Sequence, residues 1–310
     1  MGYNDEHAYL VALLRSNKGV AWHRVANVVD AAGTAEGLVR REVDSGSDFG
    51  RELVSRVGSD DVKSARAEVE SWAEVPGMAA WSILDADYPA QLRRIFDRPP
   101  LLFCLGRWEP TNEEGFCVVG TRQASPSGLD QARLMAASLT ERGIAVTSGL
   151  ALGVDTTAHT AALDAGGRTV AVLGNGLASV YPPENKGLAD RIIREGGALV
   201  SPFVPAQGPN AKFTFQIRNS VMSGLSRGTI VIEAGPTSGA KMQARLALRH
   251  GRPVFLMRSL VDTHDWALDY VTKGRHGTRA ITVEDVDDVL EAIDASRPIE
   301  VEQLALGLDG

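Results

Sequence analysis

The stretch VTSGLALGVDTTAH, residues 146–159, puts glycine, serine and one aspartate where an apolar strand hands over to a helix. Small residues at such a turn let something approach the backbone, whether a phosphate, a nucleotide or only the next helix. The pattern recurs after each neighbouring apolar run. FCVV leads into GTRQASPSG, TVAVL into GNGLASVYPPEN, ALV into SPFVPAQGPNAKFTFQIRN, and TIVI into EAGPTSGAKMQA. Helices start in these loops, and their unpaired N–H groups favour an anion. The loops also carry Arg122, Lys186, Lys212, Arg218 and Lys241. The expected chemistry is therefore non-covalent capture of an anionic ligand. Nucleophilic catalysis is not supported. Ser148 stands in T-S-G-L rather than G-x-S-x-G, and His159 is expected to face the core or a neighbouring loop. GTRQASPSG lacks the G-x-G-x-x-G spacing, GNGLAS has only its first two glycines, and no GxxxxGK[ST] phosphate loop occurs.

These loops need a scaffold that brings them to one edge. From residue 116 onward, short runs of apolar, often β-branched residues alternate with helical segments. FCVVGT, IAVTSG, TVAVLG, ALVS, TIVIEA and PVFLM read as strands, and AITVEDVDDVLEAI adds one more strand and helix. Runs that are apolar throughout mean a sheet covered on both faces, so the expected fold is α/β with a doubly wound, mostly parallel sheet. Ligands of such sheets bind beyond the carboxyl ends of the strands, which puts all five basic residues on one rim.

Upstream, HAYLVALLRSN, VAWHRVANVVDAAG, AEGLVRREVD and SARAEVESWAEV read as short amphipathic helices punctuated by glycine. The expected organisation is a small helical module over 1–75, resembling SAM-like or helix-hairpin-helix modules, and a connecting segment over 76–112. The α/β domain then covers 113–295, with a flexible tail over 296–310. In the connecting segment only LLFCL is strand-like.

The formal net charge of -7 argues against general affinity for nucleic acid, so any such binding needs a local basic face. Cys104 and Cys117 sit inside apolar runs and read as buried free thiols of a reducing compartment. The six histidines show no ligand spacing, so no metal site is expected; no cofactor is expected either. No run approaches a membrane span and no leader pattern opens the chain, so the expected location is the cytoplasm.

Taken in order, VVGTRQASPSG, SGLALGVDTTAH, GNGLASVYPPEN, FQIRNSVMSGLSRGTIVIEA and TSGAKMQARLALRHGRPVF resemble the DprA/Smf family of DNA-processing proteins, as does DADYPAQLRRIFDRPPLLFCLG before them. The resemblance implies an extended Rossmann-like domain that binds and protects single-stranded DNA. It also implies a homodimer, loading of the RecA recombinase as in natural transformation, and no catalysis. By motif match it implies a DNA pocket with Arg122, Ser125 nearby, and Arg218, Asn219 and Gly239 lining it. Lys186 becomes a phosphate contact, and Gly120, Ser148, Gly149, Lys212 and Lys241 complete the candidate set. The small residues would clear room for the phosphodiester backbone, and Asp155 would cap the helix starting near Thr156.

The sequence also departs from the family pattern. Ser220 replaces a basic residue, Pro202 a glutamate and Lys241 an apolar residue; LMRSL replaces P-G, and no winged-helix extension is recognised. Two other readings stand beside this one. Phosphoribohydrolases of the wider superfamily use a glutamate in P-G-G-x-G-T-x-x-E, but Met242, Gln243 and Ala244 occupy that place here, and Glu233 is expected to orient a helix or loop. The other reading is a sensor of a mononucleotide or NAD derivative, for example in phage defence.

Overall fold

A computed structural model describes residues 4–209 and 214–295. The chain opens with α1 (Asp5–Ser16), α2 (Trp22–Ala32), α3 (Ala35–Val39), α4 (Asp48–Ser55) and α5 (Ser59–Trp72). Several of these starts follow from side-chain caps. Asn4 caps α1, while the Thr34 and Ser47 hydroxyls accept the N–H groups of Gly37 and Gly50, each at 3.0 Å. The sequence reading omits α4, whose one-turn apolar face, Leu53 and Val54, is too short to show a period.

Next come β1 (Met78–Ser82), α6 (Ala90–Arg93) and β2 (Leu101–Gly106). The alternating region follows as β3 (Phe116–Val119), α7 (Pro126–Glu141), β4 (Val146–Ser148), α8 (Val154–Asp164), β5 (Thr169–Val172), α9 (Lys186–Arg194) and β6 (Ala198–Ser201). It continues with α10 (Thr214–Gly224), β7 (Gly228–Val231), α11 (Gly239–Arg249), β8 (Val254–Met257), α12 (Arg258–Thr263), α13 (Asp265–Thr272), β9 (Ile281–Val283) and α14 (Val286–Ala295). All seven strands expected after residue 115 are present. Besides α4, the elements not anticipated are β1, α6, α12 and α13.

The strands form one sheet in the order β1-β2-β6-β5-β4-β3-β7-β8-β9. The strands from β6 to β9 in that order pair in parallel; β1 with β2 and β2 with β6 pair antiparallel. The fold is the expected doubly wound α/β sheet, extended by two antiparallel strands. Phe116, Cys117 and Val118 on β3 are fully buried, as a central strand covered on both faces requires. The helical module shares this core. Trp72 at the end of α5 stands edge-on to Phe103 of β2, with ring centroids 4.7 Å apart.

Topology fixes where a ligand can sit. The chain steps outward through β4, β5 and β6, then returns to lay β7 beside β3 and steps outward the other way. Loops after β3 and β7 therefore leave in opposite directions and open a crevice between them.

A polar cluster ties the connecting segment to the sheet's opposite edge. Asp97 accepts a hydrogen bond from Ser220 Oγ of α10 at 2.9 Å and lies 2.7 Å from Nε2 of the buried His250. The His250 Nδ1 is 3.0 Å from Ser223 Oγ. Ser220 is thus buried against the connecting segment. Burial pushes the Asp97 carboxyl up, but the bonds from His250 and Ser220 outweigh it, and the net shift is below the ordinary 3.8. Stability from this cluster is therefore present above 3.8 and lost as pH falls through the lowered folded value. Urea unfolding of wild type and Asp97→Asn from neutral to acid pH should show a shallower acid-side loss in the variant; parallel curves would mean the cluster carries no such linkage.

Candidate nucleic-acid interface

The switch-point crevice is a cavity of about 480 Å³. Its walls come from the loop after β3 (Gly120, Thr121, Arg122), from α10 (Phe215, Arg218, Asn219) and from the start of α11 (Ser238, Gly239, Gln243). A second cleft of about 230 Å³ lies beside it, lined by Leu152, Tyr181, Pro182, Pro183 and Glu184. Arg122, Ala151, Phe215 and Arg218 line both, so the two make one groove divided at the Phe215 ring.

Hydrogen bonds between loops hold the groove in shape. Glu233, just past β7, accepts the Ser125 hydroxyl proton at 2.7 Å and the Ser125 N–H, while its own carbonyl accepts the Thr121 N–H at 2.7 Å. Ser125 Oγ in turn caps α7 by accepting the Gly128 N–H at 3.0 Å. Glu233 thus orients a loop and a helix, as expected. Asn185 of the YPPEN segment donates to Leu150 O and Thr156 Oγ1, both at 2.8 Å, joining the loops after β5 and β4.

Arg218 is the centre of the site. It is only 7% exposed, and its partners are poor: Met222 Sδ at 3.1 Å and the Asp155 carboxylate at 4.0 Å. Its Nε has no hydrogen-bond partner among the described residues. Burial pulls its pKa down against the pull of Asp155, and burial raises the Asp155 carboxyl against the pull of Arg218. In both groups desolvation exceeds mutual attraction. A guanidinium stays protonated at neutral pH, so the groove holds a buried cation that is short of partners. Arg122 adds an exposed second cation. The Phe215 ring centroid lies 5.5 Å from the Arg122 Cζ and 5.6 Å from the Arg218 Cζ. Tyr181 follows, 6.2 Å from Phe215 and tilted 36°.

The small residues have a different purpose from the expected one. A Cβ at Gly149 would lie 1.3 Å from Arg218 Nη1, and one at Gly174 would lie 2.6 Å from the Phe215 ring. One at Gly153, which has φ +78°, would lie 2.5 Å from Thr121 O. These glycines clear room for the protein's own side chains and loops; Gly239, with open space around it, faces the cavity.

The other expected residues lie as follows. Ser148 is fully buried and donates its hydroxyl to Val118 O at 2.6 Å, so it belongs to the sheet. Lys186 lines neither part of the groove and pairs with Asp190 at 3.0 Å one helical turn along. Lys241 places Nζ 5.5 Å from the Trp266 ring centroid and does not line the cavity. Lys212 lies outside the described residues. Asp155 caps nothing from outside, because α8 starts at Val154; its carboxylate accepts the N–H groups of Gly149 and Ala151 at 3.1 and 3.4 Å. His159 does face the core. Thr169 donates to Val146 O, so His159 Nδ1 donates to Thr169 at 2.7 Å, and burial, with Arg218 adding to it, pushes its pKa down to about 3.

The sequence reading missed three residues. Phe215 precedes Arg218 by one helical turn, and an aromatic so placed in a polar segment was a usable signal. Tyr181 could have been found as an aromatic in a loop. Gln243 is 1% exposed with both amide atoms unpartnered among the described residues, yet lines the cavity; a single polar residue inside a helix gave no warning.

Comparison with known proteins gives this groove its context. The model of the DNA recombination-mediator protein A family matches residues 79–294. The chain belongs to that family. It is 41% identical to Protein Smf of Escherichia coli over 198 residues, which is 62% of this chain and 52% of the relative. The chain thus spans about half the length of that relative. The X-ray structure of DNA processing protein A from Streptococcus pneumoniae aligns over 94% of this chain and 93% of its own, with TM-score 0.66 and 29% identity. The Helicobacter pylori protein, described for its single-stranded DNA binding mode, shares the fold over 71% of this chain and 97% of its own, with TM-score 0.60 and 23% identity.

The fit of Arg218 over Gly149 is testable before any ligand is known. Gly149→Ala should cost about 1–3 kcal/mol in urea unfolding, because the guanidinium or the loop must move. A wild-type midpoint would mean that Arg218 does not depend on this contact.

Proposed function

We propose that the protein binds single-stranded DNA in the groove around Phe215, shields it, and hands it to a RecA-type recombinase, acting as a non-catalytic homodimer. The observation that carries this reading is Arg218, a buried guanidinium with an unpartnered Nε and a carboxylate no nearer than 4.0 Å. A phosphate supplies the missing anion, and Arg122 supplies an exposed second contact. Phe215 and Tyr181 offer ring faces to bases without regard to sequence. This combination of backbone charge and aromatic surface suits an unpaired strand, whose bases are free to stack.

The relatives described as DNA processing proteins support a role on DNA, and the description of the family as recombination mediators supports the hand-over to a recombinase. The homodimer rests on family membership alone. A non-catalytic role fits the cavity chemistry. Asp155 is engaged by two backbone N–H groups and by Arg218, and Gln243 is an amide that cannot serve as a general base at neutral pH. Cys104 and Cys117, free and buried, fit the reducing cytoplasm; burial pushes the Cys104 thiol up to about 12. No helix among the described residues is long and apolar enough to cross a membrane.

One observation favours a second reading. The unpartnered Gln243 amide beneath the 480 Å³ cavity suits the edge of a single nucleobase, as a mononucleotide sensor requires. Salt separates the two readings, since a strand neutralising several phosphates loses affinity steeply and a mononucleotide does not.

The test is fluorescence anisotropy of labelled oligo-dT across a salt series, with a duplex control. Tight binding with a steep salt slope and single-strand preference is expected, and Arg122→Ala should weaken it by about 1–3 kcal/mol. Absence of binding at low salt would overturn the DNA reading; wild-type affinity in the variant would remove Arg122 from the site.

A further inference from the structure

The helix that starts at the groove ends in a second group of cations. Gly239 and Met242 of α11 line the cavity, and the same exposed face continues through Arg245 to Arg249. Positions 242, 245 and 249 follow the i, i+3, i+7 spacing of one helix face. Buried residues, among them Ala244, Ala247 and Leu248, form the opposite face. Met242 is 51% exposed on this face.

Beyond Arg249 the connecting segment joins this surface. Phe96 is exposed, and its ring centroid lies 4.4 Å from the Arg249 Cζ and 5.1 Å from the His250 ring. Arg94 is exposed and close enough to Arg252 to depress its pKa, after the larger effect of burial. None of Arg94, Arg245, Arg249 and Arg252 has a carboxylate within 4.0 Å among the described residues. Of the acidic groups near this place, the exposed Glu114 pairs with Arg227 at 3.6 Å, and two more are already committed. Asp97 is held by His250 and Ser220, and the mostly buried Glu113 accepts the N–H groups of Ala90 and Gln91. In a chain of net charge -7, three exposed guanidiniums without ion-pair partners, Arg94, Arg245 and Arg249, form a local cationic surface beside an exposed phenyl ring, while the half-buried Arg252 behind them donates to Gln91 O at 3.0 Å.

We infer that the bound strand does not end in the groove but runs along α11 to this patch, where its backbone meets Arg245, Arg249 and Arg94 and a base stacks on Phe96. The inference rests on the DNA reading of the groove. Two observations commit the surface to a nucleic-acid strand: its charge, and its continuity with the groove through one helix face. The 11 residues of α11 carry the track about 16 Å, from the carboxyl to the amino edge of the sheet. A contact made mainly of exposed arginines and one ring is insensitive to sequence, as a strand-protecting protein requires.

The test compares wild type with Arg94→Ala/Arg249→Ala on oligo-dT strands of about 6 and about 20 nucleotides, each across a salt series. All substituted side chains are exposed, and circular dichroism checks the fold. The short strand should bind both proteins alike. The long strand should bind the variant about tenfold more weakly, with a salt slope shallower by about 1.4, or about 0.7 for each lost phosphate contact. Arg249→Lys, which keeps the charge, should retain most of the wild-type slope. Equal affinity and slope for the long strand would overturn the track and leave the groove standing, as would an equal loss on both strands. Failure of wild type to bind either strand would overturn the groove reading itself, and the track with it.

Discussion

One under-neutralised cation organises this molecule. Arg218 projects from α10 into a space that exists because residue 149 has no side chain. Its carboxylate partner, Asp155, is equally buried and stands 4.0 Å away while holding two loop amides. Taking both groups out of water costs more than their attraction returns, so the fold maintains a charge that an anion in the groove would relieve. The loops after β3, β4, β5 and β7 are locked to one another by Glu233, Asp155 and Asn185, which fixes the walls around that charge. On the proposed function, the free energy invested in burying Arg218 would return as binding energy to a phosphate.

The same logic lets a net-acidic protein present a local cationic surface. Many of its basic side chains are spent on neighbouring carboxylates, such as Lys186 on Asp190 and Arg191 on Asp164 and Glu195. Among the described basic residues without an ion pair, Arg122 stands at the groove and Arg245 and Arg249 on α11. Field strength at a surface depends on local imbalance rather than on the total, so a sum of -7 does not oppose a cationic path.

The sheet was legible because its strands are apolar on both faces, a pattern that survives any choice of side-chain rotamer. Short elements were not. β1, with the sequence MAAWS, lies at the edge and is only partly buried, and α12 and α13 run together through RSLVDTHDWALDY without a strong stop between them. At the site, the loops were correctly brought to one edge, because strand direction dictates that much. Which way each side chain turns was not readable. Lys186 and Lys241 belong to the right loops, but a nearby carboxylate and the Trp266 ring take them elsewhere. The glycines read as space for a ligand are largely space for Arg218 and Phe215, since a missing Cβ does not say what fills the gap. Gln243 and Phe215 gained their positions only through helix packing between α10 and α11, which no local pattern records.

The most direct test of the account is to map where a bound strand touches the protein. Single-stranded oligonucleotides carrying a photoreactive base would be cross-linked to the protein and the attached peptides identified by mass spectrometry. The account predicts cross-links to the peptides containing Tyr181 and Phe215, suppressed when Arg218 is replaced in a variant that remains folded. Cross-links confined to the helical module, with none on either aromatic, would contradict the claim that the crevice around Arg218 holds the strand.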